Sequence, residues 1–339
     1  MKTTDFALRL SEFLSIYLPG QKGLSTNTIM SYRDTFRFIL IFSEDVMKIP
    51  TEKLTLTKFN CEFIVAFLTW LEKERKNSVA TRNQRLAAIN SFVKFVKRKN
   101  PEYLAEAQKI LDIDFKRKPQ SGIKYLTPDC VQAIISATDT NPKNGKRDKV
   151  LLSLLYDSAA RVQELCDLKV RDIRLQKPYA VTLTGKGRKT RSEPIMVQTS
   201  AVLTRYIAEN RLDSQEKLDY PLFVNHHRTK LTRAGVAHIL KKYCDIARQT
   251  NPDIPDKISP HVLRHSKAMH MLGAGINLIY IRDFLGHNQV KTTEIYAKAD
   301  PETKRAVIEG ADIHIEENLP PWNEDKPLMQ YLRDLCGKD

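Results

Sequence analysis

At 339 residues the chain exceeds one typical domain, so two domains, each long enough to bury a core, are expected. Hydrophobic residues at 42% beside charged residues at 28% exclude a disordered or membrane chain; no apolar run approaches the roughly 20 residues of a spanning helix. The net charge of +15 attracts polyanions, nucleic acid above all through counterion release.

Met1-Lys-Thr-Thr-Asp5-Phe-Ala has no apolar signal core, so a cytoplasmic protein is expected. Residues 1–112 read as helices almost throughout, forming a first domain. Phe6, Leu10, Phe13, Leu14 and Tyr17 mark one amphipathic stretch, and Tyr32, Phe36, Ile39 and Phe42 a second, with Ser25 or Thr26 as its N-cap. A third helix covers Phe63 to Leu71 and a fourth Thr81 to Val96, with Leu86, Ile89, Phe92 and Phe95 facing inward. Arg82, Arg85, Lys94 and Lys97 punctuate that last helix and are read as DNA contacts. Residues 113–123 carry Lys116-Arg117-Lys118 followed by proline and glycine: a basic linker that lies along phosphates.

A second domain, 124–315, opens at Thr127-Pro128, an N-cap followed by proline in the first turn. Helical patterns run to about Leu168. Ala180 to Leu183 and Glu193 to Val197 then read as short strands around Gly185-Lys186-Gly187-Arg188-Lys189-Thr-Arg191. The pattern predicts a hairpin with a basic tip, in which Arg188, Lys189 and Arg191 face DNA. Helices return from Thr199, the last running from Ile279 to Leu285. Residues 316–339 hold six acidic against three basic residues; after Pro320-Pro321, Leu328, Met329, Leu332 and Leu335 recur at helical spacing. Such a tail has too little apolar surface to close on itself and needs an acceptor. The five cysteines are scattered and form no Cys-x-x-Cys pair, which fits reduced thiols and no zinc site.

The chemistry sits in the second domain. His261-Val-Leu-Arg264-His265 precedes Leu285-Gly286-His287, and Tyr296 follows nine residues later. Arg161 lies 100 residues before His261, with Glu164 three residues on and on the same helical face. Arginine forks match the charge of a phosphodiester and never lose their proton. Imidazoles hydrogen-bond the phosphate, and a phenol can attack it. A tyrosine of ordinary pKa near 10 needs proton removal or a positive field to do so at neutral pH. The P-loop pattern GxxxxGK[ST] is absent, as are His-Glu-x-x-His and the paired carboxylates of two-metal nucleases, so no metal or cofactor is expected.

This set, in this order, resembles the tyrosine recombinase (phage integrase) family, and the resemblance covers nearly the whole chain. It implies a mainly α protein with a small antiparallel β element, a SAM-like DNA-clamping domain preceding the catalytic domain. Arg161 and Arg264 would hold the phosphate, Lys186 on the hairpin would protonate the leaving 5′-oxygen, and His261 would handle protons at the tyrosine and phosphate. His287 would hydrogen-bond a non-bridging oxygen, and Tyr296 would be the nucleophile, with Glu164 and His265 as supports. The family's members work as four protomers on two duplexes carrying specific sites. They exchange strands through a 3′-phosphotyrosine and a Holliday junction, and commonly pass a C-terminal helix between protomers. A type IB topoisomerase shares the chemistry, and an idle DNA-binding accessory protein shares the surface; neither requires the whole set together with an exchanging tail.

Overall fold

In a computed structural model the chain divides into two compact units, residues 1–121 and 122–339. The residues described are 3–117, 122–142, 144–185, 187, 189–286, 293, 295, 296, 330 and 333. Lys118, Lys186, Arg188, His287 and the acidic tail, apart from Gln330 and Arg333, lie outside them.

The first unit is helical. Helix α1 (Asp5–Glu12) continues into a π-helical segment, Phe13–Gln21, and is followed by α2 (Thr26–Asp45), α3 (Cys61–Lys73), α4 (Val79–Val96) and α5 (Leu104–Leu111). Ser25 is the N-cap position of α2, while Asn60 and Ser78 cap α3 and α4 by accepting from the backbone N–H groups of Phe63 and Thr81. Phe92 of α4 is the centre of the core: Phe6, Phe13, Phe36 and Phe59 all pack their rings within 6 Å of it. Each fully buried aromatic side chain contributes on the order of 1.5–3 kcal/mol, so this cluster anchors four segments at once.

The basic residues of α4 do not all face outward. Arg82 is buried and donates to the carbonyl of Asp114 at 2.9 Å and to Asn83 Oδ1 at 3.2 Å. Arg85 donates to Ser31 O and Thr35 Oγ1, each at 3.0 Å, beneath the ring of Phe38. Both side chains thus brace the unit from within, Arg82 buried and Arg85 half-buried. The reason is that α4 is buried on several faces, leaving no room for a wholly solvated basic stripe. Lys94, Lys116 and Arg117 are exposed and Lys97 half-buried; Lys116 pairs with Glu72 at 2.7 Å.

The second unit opens with α6 (Pro128–Ser136), where Thr127 Oγ1 accepts from the N–H of Cys130 at 3.3 Å and Pro128 sits in the first turn, as the sequence predicts. Helices α7 (Gly145–Asp157) and α8 (Val162–Asp167) lead to a three-stranded antiparallel sheet in the order β1 (Ile173–Arg174), β2 (Ala180–Thr184), β3 (Thr190–Pro194). The second hairpin strand begins three residues before its expected start at Glu193. Pairing of Thr184 with Thr190 and the bond from Gly185 N–H to Lys189 O close the turn early, and Val197 already starts the next helix. Helices α9 (Val197–Glu209), α10 (Arg233–Ala247), α11 (Pro260–Gly273) and α12 (Leu278–Leu285) complete the unit. Helix α7 packs against α9 and α11, and α6 against α10, around a core that includes Leu151, Leu155, Leu203, Phe223 and Tyr243. Among the described residues no helix is long and apolar enough to cross a membrane.

Candidate active site

The site gathers at the ends of α8, α11 and α12 and on β3. Arg161 is the N-cap residue of α8, in extended backbone, so its side chain leaves the helix axis and stays about a third exposed. Glu164, one turn later, reaches back: its Oε2 accepts from the Arg161 backbone N–H at 2.9 Å and its Oε1 from Nη1 at 2.7 Å. The second terminal nitrogen, Nη2, donates to the carbonyl of Gly286 at 3.2 Å. The spacing of Arg161 and Glu164 in sequence thus becomes a fork gripped by its own helix.

Glu164 is buried and also accepts from Arg191, Nη1 at 3.1 Å and Nη2 at 2.7 Å. Burial alone would raise its pKa, but hydrogen bonds from Arg191 and Arg161 hold it down at about 2. It is an anion at any working pH. Arg191, expected at the solvent-facing hairpin tip, instead turns its side chain inward, leaving it 14% exposed. Strand parity turns it inward: Arg191 stands opposite Leu183, and Glu193 opposite Val181.

Helix α11 starts at Pro260, and His261, Arg264 and His265 fall three and four residues apart on one face. Arg264 is buried, 4% exposed, and donates Nη1 to the carbonyl of Ala159 at 2.6 Å and Nη2 to the carbonyl of Leu285. Desolvation, then Arg161 and Arg191, lower its pKa to about 10, so it is still charged at neutral pH. A guanidinium carries five donors, so two backbone bonds anchor it without exhausting it. Ala159, buried and at φ +45°, turns its carbonyl to this arginine; a non-glycine residue in that region is held there by its surroundings.

Tyr296 is 1% exposed and packs with Ala159, Ala268, Met269, Leu272, Ile281 and Leu285. Its Oη lies 2.9 Å from Nδ1 of His265. The family resemblance gives proton handling at the tyrosine and phosphate to His261; the imidazole that meets the phenol in the structure is that of His265, while His261 sits exposed at the start of α11. Burial raises the Tyr296 pKa, and Arg264 opposes that only in part. Both histidines are held below their usual value, His265 by burial, then His261 and Arg264, and His261 by burial, then Arg264 and Arg161. A neutral imidazole thus faces a protonated phenol.

Gly286 ends α12 in the left-handed region, φ +60°, immediately before His287. Gly185, at the base of the hairpin, approaches the site so closely that an added Cβ would lie 2.9 Å from Glu164 Oε1. Glycine there admits the Arg161–Glu164 pair and carries the chain to Lys186. Lys189 is exposed. Two residues missed in the sequence, Arg191 and Glu193 as inward members of this cluster, carry a legible signal: their alternation in Arg191-Ser-Glu193-Pro-Ile195 shares parity with the buried Ile195.

The catalytic model of the phage integrase family matches residues 124–303, and that family's N-terminal SAM-like domain matches 10–100. An integrase/recombinase of Sinorhizobium fredii is 34% identical over 98% of this chain and 99% of its own length. Tyrosine recombinase XerD of Listeria innocua is 34% identical over 85% of this chain and 92% of its own. In fold, the chain is similar to the XerH site-specific recombinase bound to its difH substrate (TM-score 0.64, 22% identity, 84% of this chain and 79% of that one). It is also similar to the Tn1549 transposon integrase in complex with circular intermediate DNA (TM-score 0.69, 15% identity, 91% and 100%). The chain belongs to the phage integrase family, the tyrosine recombinases. It is a mainly helical, two-part enzyme of site-specific DNA recombination.

Proposed function

We propose that Tyr296 is the nucleophile of this recombinase and that Arg161, Arg264, Lys186, His287 and the two histidines of α11 serve it at one DNA phosphate. The reading is carried by one observation: Arg161, Arg264, His265 and Tyr296, separated by up to 135 residues, converge through direct hydrogen bonds and the carbonyls of Ala159, Leu285 and Gly286. In the reaction Tyr296 Oη passes its proton to Nδ1 of neutral His265 and bonds to phosphorus. The bond from phosphorus to the 5′-oxygen breaks, and Lys186 gives that oxygen a proton. Arg161 and Arg264 meet the charge that builds on the non-bridging oxygens, and His287 adds a hydrogen bond to one of them. His261, at the mouth of the site, serves the phosphate. The 3′-phosphotyrosine keeps the energy of the diester, so the 5′-hydroxyl of a partner duplex can attack it without ATP.

In this reading residues 1–112 clamp the duplex, 113–123 follow its backbone and 124–315 cut. Four protomers then act on two duplexes through a Holliday junction, in the cytoplasm, and residues 316–339 dock on a neighbouring protomer. Tyr296→Phe is the test. It removes one hydroxyl and leaves the basic surface intact, so covalent protein–DNA adducts on a nicked suicide substrate should vanish while DNA binding persists. Adducts forming at the wild-type rate would end the assignment. Recombination of two sites, beside relaxation of a supercoiled plasmid without sites, distinguishes a recombinase from a topoisomerase.

A further inference from the structure

Glu193 has no task in the chemistry above, yet it is a buried carboxyl group beside the arginines that do. It is 6% exposed and faces apolar Val181 across the sheet. Charged groups reach it from three elements: Arg191 from β3 itself, Arg264 from α11 and Glu164 from α8. Arg191 is the link. Its Nε lies 3.4 Å from Glu193 Oε1, close enough for charge pairing, but it is buried and makes no hydrogen bond. Its two terminal nitrogens clamp Glu164, which grips Arg161. Its side chain also lies against Gly286, where an added Cβ would come within 3.1 Å of Arg191 Cδ, and Gly286 offers its carbonyl to Arg161. Arg191 therefore touches both supports of Arg161.

We propose that Glu193 is a positioning residue that governs Arg161 through Arg191, and that its neutral form is the one competent to receive a DNA phosphate. An ionised Glu193 competes with Glu164 for Arg191 and cancels one positive charge in a site whose ligand is an anion. Protonated, it leaves Arg191 wholly to Glu164 and leaves the field of the arginines intact. Both forms are within reach near neutrality: burial pushes the Glu193 carboxyl up to about 7, against the pull of Arg191 and Arg264 and with the help of Glu164. A bound phosphate adds negative charge and moves the balance further toward the acid form. Binding of DNA thus draws a proton onto Glu193 and tightens the grip on Arg161.

The proposal rests on the recombinase reading above, and the experiment separates the two. Single-turnover cleavage of a nicked suicide substrate is followed for the wild type and Glu193→Gln from pH 6 to 9. The ratio of the two rates cancels the titrations that both proteins share, Tyr296 and the histidines included. The ratio of variant to wild type should rise on the order of tenfold across that range, the change that corresponds to one pKa unit of coupling between Glu193 and the phosphate. Glu193→Val, which sets valine opposite Val181, should show the same rise and covers the case in which glutamine disturbs the sheet. Net proton uptake on DNA binding at pH 7.5, read by calorimetry in two buffers of different ionisation enthalpy, should be present in the wild type and reduced in both variants. A purely structural role would shift the rates by one constant factor, and a flat ratio overturns the proposal. No cleavage by the wild type at any pH would overturn this proposal and the recombinase reading together.

Discussion

Glu164→Gln is the perturbation that weighs the site most directly. The carboxylate is 4% exposed, and two arginines hold its pKa at about 2 against an ordinary value of 4.5. Each tenfold in proton affinity is worth about 1.4 kcal/mol, so ionised Glu164 contributes about 3 kcal/mol to folding at pH 7. Glutamine keeps the shape and loses the charge, leaving Arg191 buried without its anion. Breaking a buried pair from one side costs roughly 3–5 kcal/mol, which overlaps that figure.

The pH dependence makes this specific. The folded pKa lies below the unfolded one, so the contribution is complete above about pH 4.5 and is lost as pH falls toward 2. By that linkage roughly two-fifths remains at pH 3. Urea unfolding of wild type and Glu164→Gln at pH 7, 4 and 3 measures it: the gap in unfolding free energy should be at least about 3 kcal/mol at pH 7 and should narrow by about 2 kcal/mol at pH 3. A gap that stays constant with pH, or one below about 1 kcal/mol at pH 7, would refute the view of Glu164 as a clamped anion. The same variant should cleave at least 100-fold more slowly, on the scale of about 10²–10³ for one preorganised donor, because Arg161 loses its orientation.

Gly185→Ala should fold and bind DNA yet cleave at least about tenfold more slowly, because its Cβ would meet Glu164 Oε1 at 2.9 Å and that oxygen is pinned by both arginines. Equal suicide-substrate rates for the variant and the wild type would sever the hairpin from the site. Lys186→Ala should lose cleavage and regain it on a substrate with sulfur in place of the bridging 5′-oxygen, a leaving group that needs no acid; lack of rescue would move the acid elsewhere, first to Lys189. Deleting residues 320–339 should leave single-site binding intact and abolish cooperative assembly of the two-duplex complex in a gel-shift assay, whereas tighter binding and faster cleavage would mark the tail as a lid on its own protomer.

The sequence makes some of this site legible and hides the rest for identifiable reasons. Glu164 is legible as the partner of Arg161 because three residues is one helical turn, and a local rule suffices. Thr127-Pro128 likewise carries its own capping chemistry. The inward turn of Arg191 is not legible, because a hairpin tip crowded with cations suggests solvent, whereas strand parity and the buried Glu164 decide where a given cation points. The internal hydrogen bonds of Arg82 and Arg85 are hidden for the corresponding reason, in a helix that is buried on several faces. The contact between His265 and Tyr296 spans 31 positions and depends on where α12 lies, which no spacing within one element reveals.

Arg264 explains why the arrangement holds together before any DNA is present. Its two backbone bonds tie the turn at Ala159, just before Arg161, to the end of α12 at Leu285, just before Gly286 and His287. One buried side chain thereby fixes the spacing between segments that lie more than 120 residues apart. Three arginines gathered around Glu164 repel one another, and that repulsion adds to burial, the larger cause, in lowering the pKa of Arg264. Two carboxylates, Glu164 and Glu193, stand against three guanidinium groups, so the cluster is short of negative charge as folded. In the proposed reaction a phosphodiester supplies it, and the pentavalent transition state, with more charge on its oxygens, supplies more. On that proposed reading, the repulsion between like charges is relieved progressively along the reaction, the condition under which binding energy lowers a barrier and does not merely tighten a ground state.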